Sequence, residues 1–141
     1  MDRKATATWK GSLKEGSGTL EAPSGAFSGL PYSFRMRFEN EPGTNPEELV
    51  AAAHAGCYAM ALSANLDKAG FTATQIDATA TVSLDTVDGA PTVTKSHLEV
   101  VATVPGISSE QFDEIAIETK GGCPISRLLT AEISLSARLD S

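Results

Sequence analysis

Apolar and polar residues alternate along several stretches of this chain, which is the pattern of β-strands that bury one face. In residues 32–40 the aromatic and apolar side chains share one face, whereas Arg35 and Arg37 share the other. A shorter strand is predicted after the turn-rich residues 11–18. The same alternation predicts further strands at residues 5–10, 76–84, 93–104 and 131–139, with a hairpin turn at residues 87–91.

Residues 45–70 carry the signals of one long helix around which the other elements are arranged. Asn45 is a side-chain cap, Pro46 occupies the first helical position, and Gly70 follows the last turn. Apolar residues occur nearly all round this helix, so we expect it to be buried. Its charged and polar side chains leave too short an apolar run for a membrane span.

The predicted elements follow the order strands, long helix, hairpin, two helices and a final strand. Ser108 or Ser109 caps the first of these two helices, which is predicted to stop at Gly121-Gly122, and the second has Pro124 near its start. No linker or repeat divides the chain. We therefore expect one α+β domain, residues 1–141, with an antiparallel sheet and a long central buried helix.

Composition narrows the partners and the compartment. Hydrophobic residues make up 41% of the chain and charged residues 21%, as in ordinary soluble globular proteins. The net charge of −7 argues against nucleic acid or an anionic membrane as a partner. The N-terminus has no hydrophobic signal region, so we expect a cytoplasmic protein. In that compartment two cysteines do not indicate a disulfide framework.

The two cysteines, Cys57 and Cys123, differ in their local settings. Cys123 directly precedes Pro124, and the free N–H groups at a helix start favour a thiolate. Cys57 lies in the middle of the long helix, where the local backbone offers no such help, so another residue must activate it. Local physical chemistry therefore favours Cys123 as the nucleophile. Two inert buried thiols are the alternative.

His54 and His97 are the two histidines. His54 precedes Cys57 by three residues on the helix and could act as its base or, with both cysteines, as part of a zinc site. The zinc pattern is weak, because no closely spaced cysteine pair occurs. We favour a buried His54 whose nitrogens are satisfied by hydrogen bonds, and we expect His97 to be solvated.

The arginines of residues 32–40 have two possible roles. They could lie on an ordinary exposed strand face, or one could turn toward the long helix and supply positive charge near a thiol. Glu47 or Glu48 could hold that arginine in place. The neighbouring apolar set could line a pocket or form ordinary core: Phe34, Met36, Phe38, Tyr58 and Met60.

Four stretches taken together resemble one known family. They are RF at 37–38, GTNPEEL at 43–49, AAHAGCYAMAL at 52–62 and GCPISRLLTAE at 122–132. With PGI at 105–107 they resemble, in order and over essentially the whole chain, the OsmC branch of the OsmC/Ohr family, the osmotically inducible organic hydroperoxide reductases.

The resemblance implies an α+β fold that forms an intertwined homodimer with the long helices at its centre. It implies that Cys57 attacks the peroxide and Cys123 resolves the product, which overrules the local preference for Cys123 as nucleophile. Arg37 and Glu47 would be the charged pair beside them, so that Arg37 activates Cys57. The implied activity is reduction of organic hydroperoxides through a sulfenic acid and an intramolecular Cys57–Cys123 disulfide. A dithiol reductant would reopen this disulfide, and no metal or organic cofactor is needed.

Two other functions stay open at this point. One is a cysteine hydrolase that uses Cys57 with His54, and the other is a non-enzymatic dimer with structural or zinc-binding thiols.

For the peroxidase, helix geometry adds an expectation. Glu47 and Cys57 are about 15 Å apart along one uninterrupted helix. We therefore expect each site to take its thiols from one chain and Glu47, with Arg37, from the partner.

Overall fold

A computed structural model describes residues 1–140 as two compact units. The first unit is Met1–Leu49, and the second begins at Val50. Each unit contains one three-stranded sheet. The α+β class is confirmed, while the assignment of residues 1–141 to a single domain stays a prediction.

In the first unit the strands β1 (Thr6–Lys10), β2 (Ser17–Glu21) and β3 (Leu30–Tyr32) form an antiparallel sheet in the order β1-β2-β3. The ring of Tyr32 lies 5.4 Å from that of Trp9, centroid to centroid. The predicted strand over residues 32–40 is wrong, because β3 ends at Tyr32.

A short helix, α1 (Phe34–Phe38), replaces that strand. The Ser33 side chain accepts a hydrogen bond from the N–H of Met36, which caps the helix. The rings of Phe34 and Phe38 pack with centroids 5.0 Å apart. A spacing of four residues fits both a strand face and a helix turn, which is why alternation failed here. Arg35 and Arg37 therefore lie on a helix.

The long helix α2 (Pro46–Lys68) is confirmed with its predicted cap. The Asn45 side chain accepts from the Glu48 N–H at 2.8 Å, and the Asn45 amide donates to the Glu48 carboxylate at 3.1 Å. Gly70 has φ +90°, the left-handed conformation that ends helices.

One face of α2 is buried, and its buried residues occur at every fourth position: His54, Tyr58, Leu62 and Leu66. The expectation of burial all round is wrong for the single chain, since Met60 is 77% exposed. The expectation that its apolar run is too short for a membrane span is wrong by length and composition alone, since α2 meets that criterion, as core helices of soluble proteins also do. Its buried stripe packs in the core of the second unit.

The sheet of the second unit has the order β4-β5-β6, with β4 (Gln75–Val87), β5 (Ala90–Thr103) and β6 (Glu132–Asp140). The predicted hairpin joins β4 to β5 through Asp88 (φ 50°) and Gly89 (φ 80°), the backbone of a type I′ turn. The antiparallel prediction holds for this pair. It is wrong for β5 and β6, which pair in parallel.

Two helices cross from β5 back to β6, and this crossover is what allows the parallel pairing. They are α3 (Ser109–Gly122), capped by Ser108, and α4 (Pro124–Leu128). Cys123 ends the first and begins the second, so the predicted stop at residues 121–122 comes one residue later. The sheet, α2 and α3 enclose the core of this unit, whose most buried members beyond α2 are Leu98, Val100, Ala102, Phe112, Ala116 and Cys123.

Candidate active site

The two thiols of the chain meet in the second unit, although they are far apart in sequence. Cys57 lies on α2 and is half-buried, whereas Cys123 lies between α3 and α4 and is 0% exposed. Both are free, and the two side chains are within hydrogen-bonding reach of each other. A molecule arriving from solvent therefore has access to Cys57 and not to Cys123.

A backbone group that the sequence did not point to also contacts Cys57. The N–H of Ile125, in the first turn of α4, lies within hydrogen-bonding reach of the Cys57 sulfur. N–H groups in a first turn have no partner within their own helix, so they are free to serve a neighbour. The start of α4 was predicted correctly at Pro124, but its donor serves Cys57 rather than the adjacent Cys123.

The electrostatics at Cys57 combine opposing effects. Burial raises the pKa of the Cys57 thiol, the Ile125 N–H acts to lower it, and the nearby Cys123 side chain raises it again. The net direction is upward. Within the single chain the thiol therefore favours its protonated form, and a thiolate at neutral pH needs a further positive charge.

His54 is buried and satisfied by two hydroxyls, as predicted. Its Nδ1 lies 2.6 Å from Ser96 Oγ, and its Nε2 lies 2.8 Å from Ser126 Oγ. Burial lowers the pKa of His54, so the ring is neutral at pH 7. With both ring nitrogens engaged, His54 has none left for Cys57, which argues against the hydrolase. The same contacts argue against His54 as a zinc ligand.

Other polar contacts brace α2 against its neighbours. The buried Tyr58 hydroxyl donates to the Ala116 carbonyl of α3 at 2.9 Å, and burial raises the pKa of Tyr58. His97, expected to be solvated, is instead partly buried, with Nδ1 2.6 Å from Ser134 Oγ. That expectation is wrong because β6 lies beside β5 and brings its serines across from His97.

In the first unit, Arg37 and Glu47 form the predicted ion pair. Arg37 Nη2 donates to Glu47 Oε1 at 2.7 Å and Arg37 Nε to Glu47 Oε2 at 3.2 Å, a two-point contact that fixes the guanidinium plane. The Glu48 carboxylate instead accepts from the Asn45 amide at 3.1 Å, so it is Glu47 that holds the arginine. Arg35 pairs loosely with Glu39 at 3.8 Å and is exposed.

Arg37 also lines an apolar cavity of about 270 Å³ within the first unit. Part of the apolar set predicted to line a pocket does so, namely Phe34 and Phe38. Tyr58 lies in the core of the second unit, and Met60 is exposed. The remaining cavity walls are Trp9, Leu13, Tyr32, Ser33 and Pro46.

The part of the chain that the structure describes contains no set of side chains that could bind zinc. Among residues 1–140, no three His, Cys, Asp or Glu side chains converge closely enough to hold a metal ion. The two thiols, one backbone donor and one arginine–carboxylate pair are thus the chemically capable groups of the two units. In the second unit, the pairing of two thiols with a backbone donor is an arrangement suited to thiol redox chemistry.

Comparison with solved structures places this fold among known ones. An OsmC-like protein from Mycoplasma pneumoniae matches with a TM-score of 0.78 at 18% identity, over 100% of this chain and 99% of that one. The organic hydroperoxide resistance protein OhrB of Bacillus subtilis matches with a TM-score of 0.64 at 21% identity, over 97% and 98%. At these identities the likeness is one of fold.

Comparison of sequences is more specific. The family model described as OsmC-like protein matches residues 38–138. Peroxiredoxin OsmC of Escherichia coli strain K12 is 51% identical over 141 residues, which is 100% of this chain and 99% of that protein. Peroxiredoxin OsmC of Shigella flexneri matches to the same extent. The chain therefore belongs to the OsmC family.

Proposed function

We propose that this chain is a cysteine-based peroxidase that reduces organic hydroperoxides to alcohols. The Cys57 thiolate attacks the outer oxygen of the peroxide, the O–O bond breaks, and the alkoxide leaves as alcohol after it takes a proton. Cys57 becomes a sulfenic acid, oxidised by two electrons, while the peroxide is reduced by two.

Cys123 then resolves this intermediate. Its sulfur attacks the sulfenic acid sulfur, a Cys57–Cys123 disulfide forms, and water leaves. A dithiol reductant restores both thiols by exchange through a mixed disulfide and is itself oxidised to a disulfide. No metal or organic cofactor takes part in these steps.

The observation that carries this proposal is the meeting of two thiols and one backbone donor. Cys57 is half-buried and Cys123 fully buried, so burial favours Cys57 as the attacking residue. The N–H of Ile125 also lies within hydrogen-bonding reach of Cys57, where it acts to lower the pKa of the thiol. Both findings favour the roles that the family resemblance implies over the local argument for Cys123.

Activation of Cys57 is assigned to Arg37, with Glu47 as the residue that orients it. The two-point contact of 2.7 and 3.2 Å presents a positive guanidinium charge in a fixed orientation. A positive charge near the thiol lowers its pKa and so opposes the effect of burial.

We propose that this charge comes from a second copy of the chain in a homodimer. Cys57 follows Glu47 by ten residues within the continuous helix α2, which corresponds to about 15 Å of helix axis. Small residues on the exposed face, among them Ala52, Ala53 and Gly56, allow two such helices to approach closely. Antiparallel crossing there brings Glu47 of one chain toward the other chain's thiols.

The cavity beside Arg37 supports an organic rather than an inorganic peroxide as substrate. Its walls are mainly aromatic and aliphatic, and a volume of about 270 Å³ is large for hydrogen peroxide alone. We assign it to the organic group of the hydroperoxide. The enzyme is proposed to act in the cytoplasm, without nucleic acid or membrane partners.

Two single substitutions test the division of labour between the thiols. Cys57→Ser abolishes consumption of cumene hydroperoxide, whereas Cys123→Ser still permits one turnover and accumulates a sulfenic acid that dimedone traps at Cys57. Trapping at Cys123 in the Cys57→Ser protein instead would reverse the assigned roles.

A mixing experiment tests the shared site. At pH 7, Cys57→Ser chains are inactive and chains carrying both Arg37→Met and Glu47→Ala are strongly impaired, but their heterodimer contains one intact site. Refolded mixtures therefore regain up to about half of the activity per heterodimer. If heterodimers form and activity never exceeds that of either parent, the charged pair and the thiols do not come from different chains.

A further inference from the structure

A buried polar cluster in the second unit is not used by the proposed peroxide chemistry. It consists of His54 on α2, Ser96 on β5 and Ser126 on α4, which are 0%, 0% and 8% exposed. Within residues 1–140 no buried side-chain nitrogen or oxygen lacks a hydrogen-bond partner, so the cluster is complete. Complete polar clusters in an apolar core fix the relative positions of the elements that they join.

The position of the cluster gives it a specific consequence. His54 lies one turn before Cys57 on the same helix, and Ser126 directly follows Ile125. The hydrogen bond between His54 Nε2 and Ser126 Oγ, at 2.8 Å, therefore joins α2 to α4 next to the point where the Ile125 N–H meets the Cys57 sulfur.

We propose that His54 is a positioning residue that holds the first turn of α4 against α2 through its hydrogen bond to Ser126. As a result, the Ile125 N–H stays in place as a hydrogen-bond donor to the Cys57 sulfur. Cys123, which begins α4, is held facing Cys57 by the same contact. The role in peroxide reduction rests on the proposed function, whereas the effect on the Cys57 thiol does not.

Imidazole suits this task because its two nitrogens face opposite partners across a rigid ring. In a neutral ring one nitrogen donates and the other accepts, and a serine hydroxyl can do either. Nδ1 holds the ring on β5 through Ser96 at 2.6 Å, and Nε2 reaches α4. The two bonds thus have different consequences: only the bond to Ser126 bears on the position of Ile125.

The groups that act on Cys57 make this difference measurable. Of the titratable side chains on α2, α3 and α4, Cys123 is the one that shifts the pKa of Cys57, and Arg127 on α4 is exposed. A Cys123→Ser background removes the second thiol from beside Cys57, and the serine that replaces it is common to all the variants compared. A change in the pH profile of Cys57 then reports on the Ile125 donor.

The first experiment compares Ser126→Ala with Ser96→Ala, both in the Cys123→Ser background. Each variant removes one hydroxyl from the same buried histidine, so the two are matched in chemistry. Alkylation of Cys57 by iodoacetamide is followed from pH 6 to pH 10. For Ser126→Ala we expect a rate at pH 7 lower by about three- to tenfold, with recovery at high pH, because a charge-assisted hydrogen bond to the thiolate is weakened. For Ser96→Ala we expect a rate within about twofold of the parent.

A second pair of variants makes the same comparison from the histidine side. An asparagine amide can replace Nδ1 and a glutamine amide can replace Nε2, because each places a nitrogen near the corresponding ring position. His54→Gln keeps the contact to Ser126 and retains the parent profile, whereas His54→Asn loses that contact and reproduces the change seen with Ser126→Ala. If Ser126→Ala does not fold, this pair decides.

Equal profiles within each pair overturn the proposal, whether both members shift or neither does. Loss of folding stability alone, measured by urea unfolding of the same proteins, then identifies the cluster as packing only. Alkylation uses no peroxide, so its outcome is independent of whether the unsubstituted protein consumes cumene hydroperoxide, which is measured separately.

Discussion

The pH dependence of folding stability tests the environment of His54. His54 is fully buried, and burial lowers its pKa below the ordinary value of 6.5. The perturbation is a change from pH 7 to pH 5.5. As the pH falls through the ordinary value, the unfolded chain binds a proton that the folded protein does not. The free energy of unfolding therefore falls with pH.

The magnitude follows from this single proton. Each pH unit between the unfolded and the folded pKa removes at most about 1.4 kcal/mol from the free energy of unfolding. If His54 stays neutral in the folded protein, going from about pH 7 to about pH 5.5 removes about 1.2 kcal/mol. The same stability is fully present well above pH 6.5.

Urea unfolding at fixed protein concentration, followed by circular dichroism, measures this loss. His54→Gln is the matched control because it keeps an amide near Nε2 but cannot bind the proton. His97 is present in both proteins, so its contribution cancels. We expect the unsubstituted protein to lose about 1.2 kcal/mol more than the control. Parallel pH profiles, or an NMR titration of the His54 ring at an ordinary pKa, would refute the reasoning.

Two further predictions concern the charged pair and the core. Arg37→Met slows oxidation of Cys57 more at pH 7 than at pH 9, because removing a positive charge disfavours the thiolate and high pH restores it; equal slowing in stopped-flow measurements at both pH values contradicts this. Tyr58→Phe lowers the free energy of unfolding by about 1 kcal/mol, because its buried hydroxyl donates to Ala116 at 2.9 Å. Tyr32→Phe, at the half-buried tyrosine of β3, is the control, and equal losses in urea unfolding would contradict the assignment.

The parts of the fold that the sequence predicted carry local signals. The cap at Asn45 and the proline after it mark the start of α2, and the left-handed Gly70 lies two residues past its end at Lys68. The Asp88-Gly89 pair specifies its own turn. Such features need no knowledge of the rest of the chain.

The predictions that were wrong depend on information that the alternation of apolar and polar residues does not contain. In α1, the four-residue spacing of Phe34 and Phe38 fits a strand face and a helix turn equally, and the Ser33 cap decides for the helix. The alternation of apolar and polar residues is the same in parallel and antiparallel strands, so it does not predict strand direction. The parallel pairing of β6 follows only from the crossover through α3 and α4.

Some residues of the candidate site could be predicted from the sequence, and others could not. Cys57 and Cys123 are the only cysteines and could be named at once. The Ile125 donor is a backbone N–H group, so the residue type at that position does not indicate it. A predicted helix start does show where free N–H groups lie. The partners of His54 are 42 and 72 positions away, and only the folded chain brings them together.

Counting free thiols before and after one equivalent of cumene hydroperoxide tests the central claim most directly. We predict the loss of two thiols per chain in one fast step, with peptide mapping by mass spectrometry locating one disulfide between Cys57 and Cys123 of the same chain. Retention of both thiols, the loss of only one, or a disulfide that joins two chains would contradict the account.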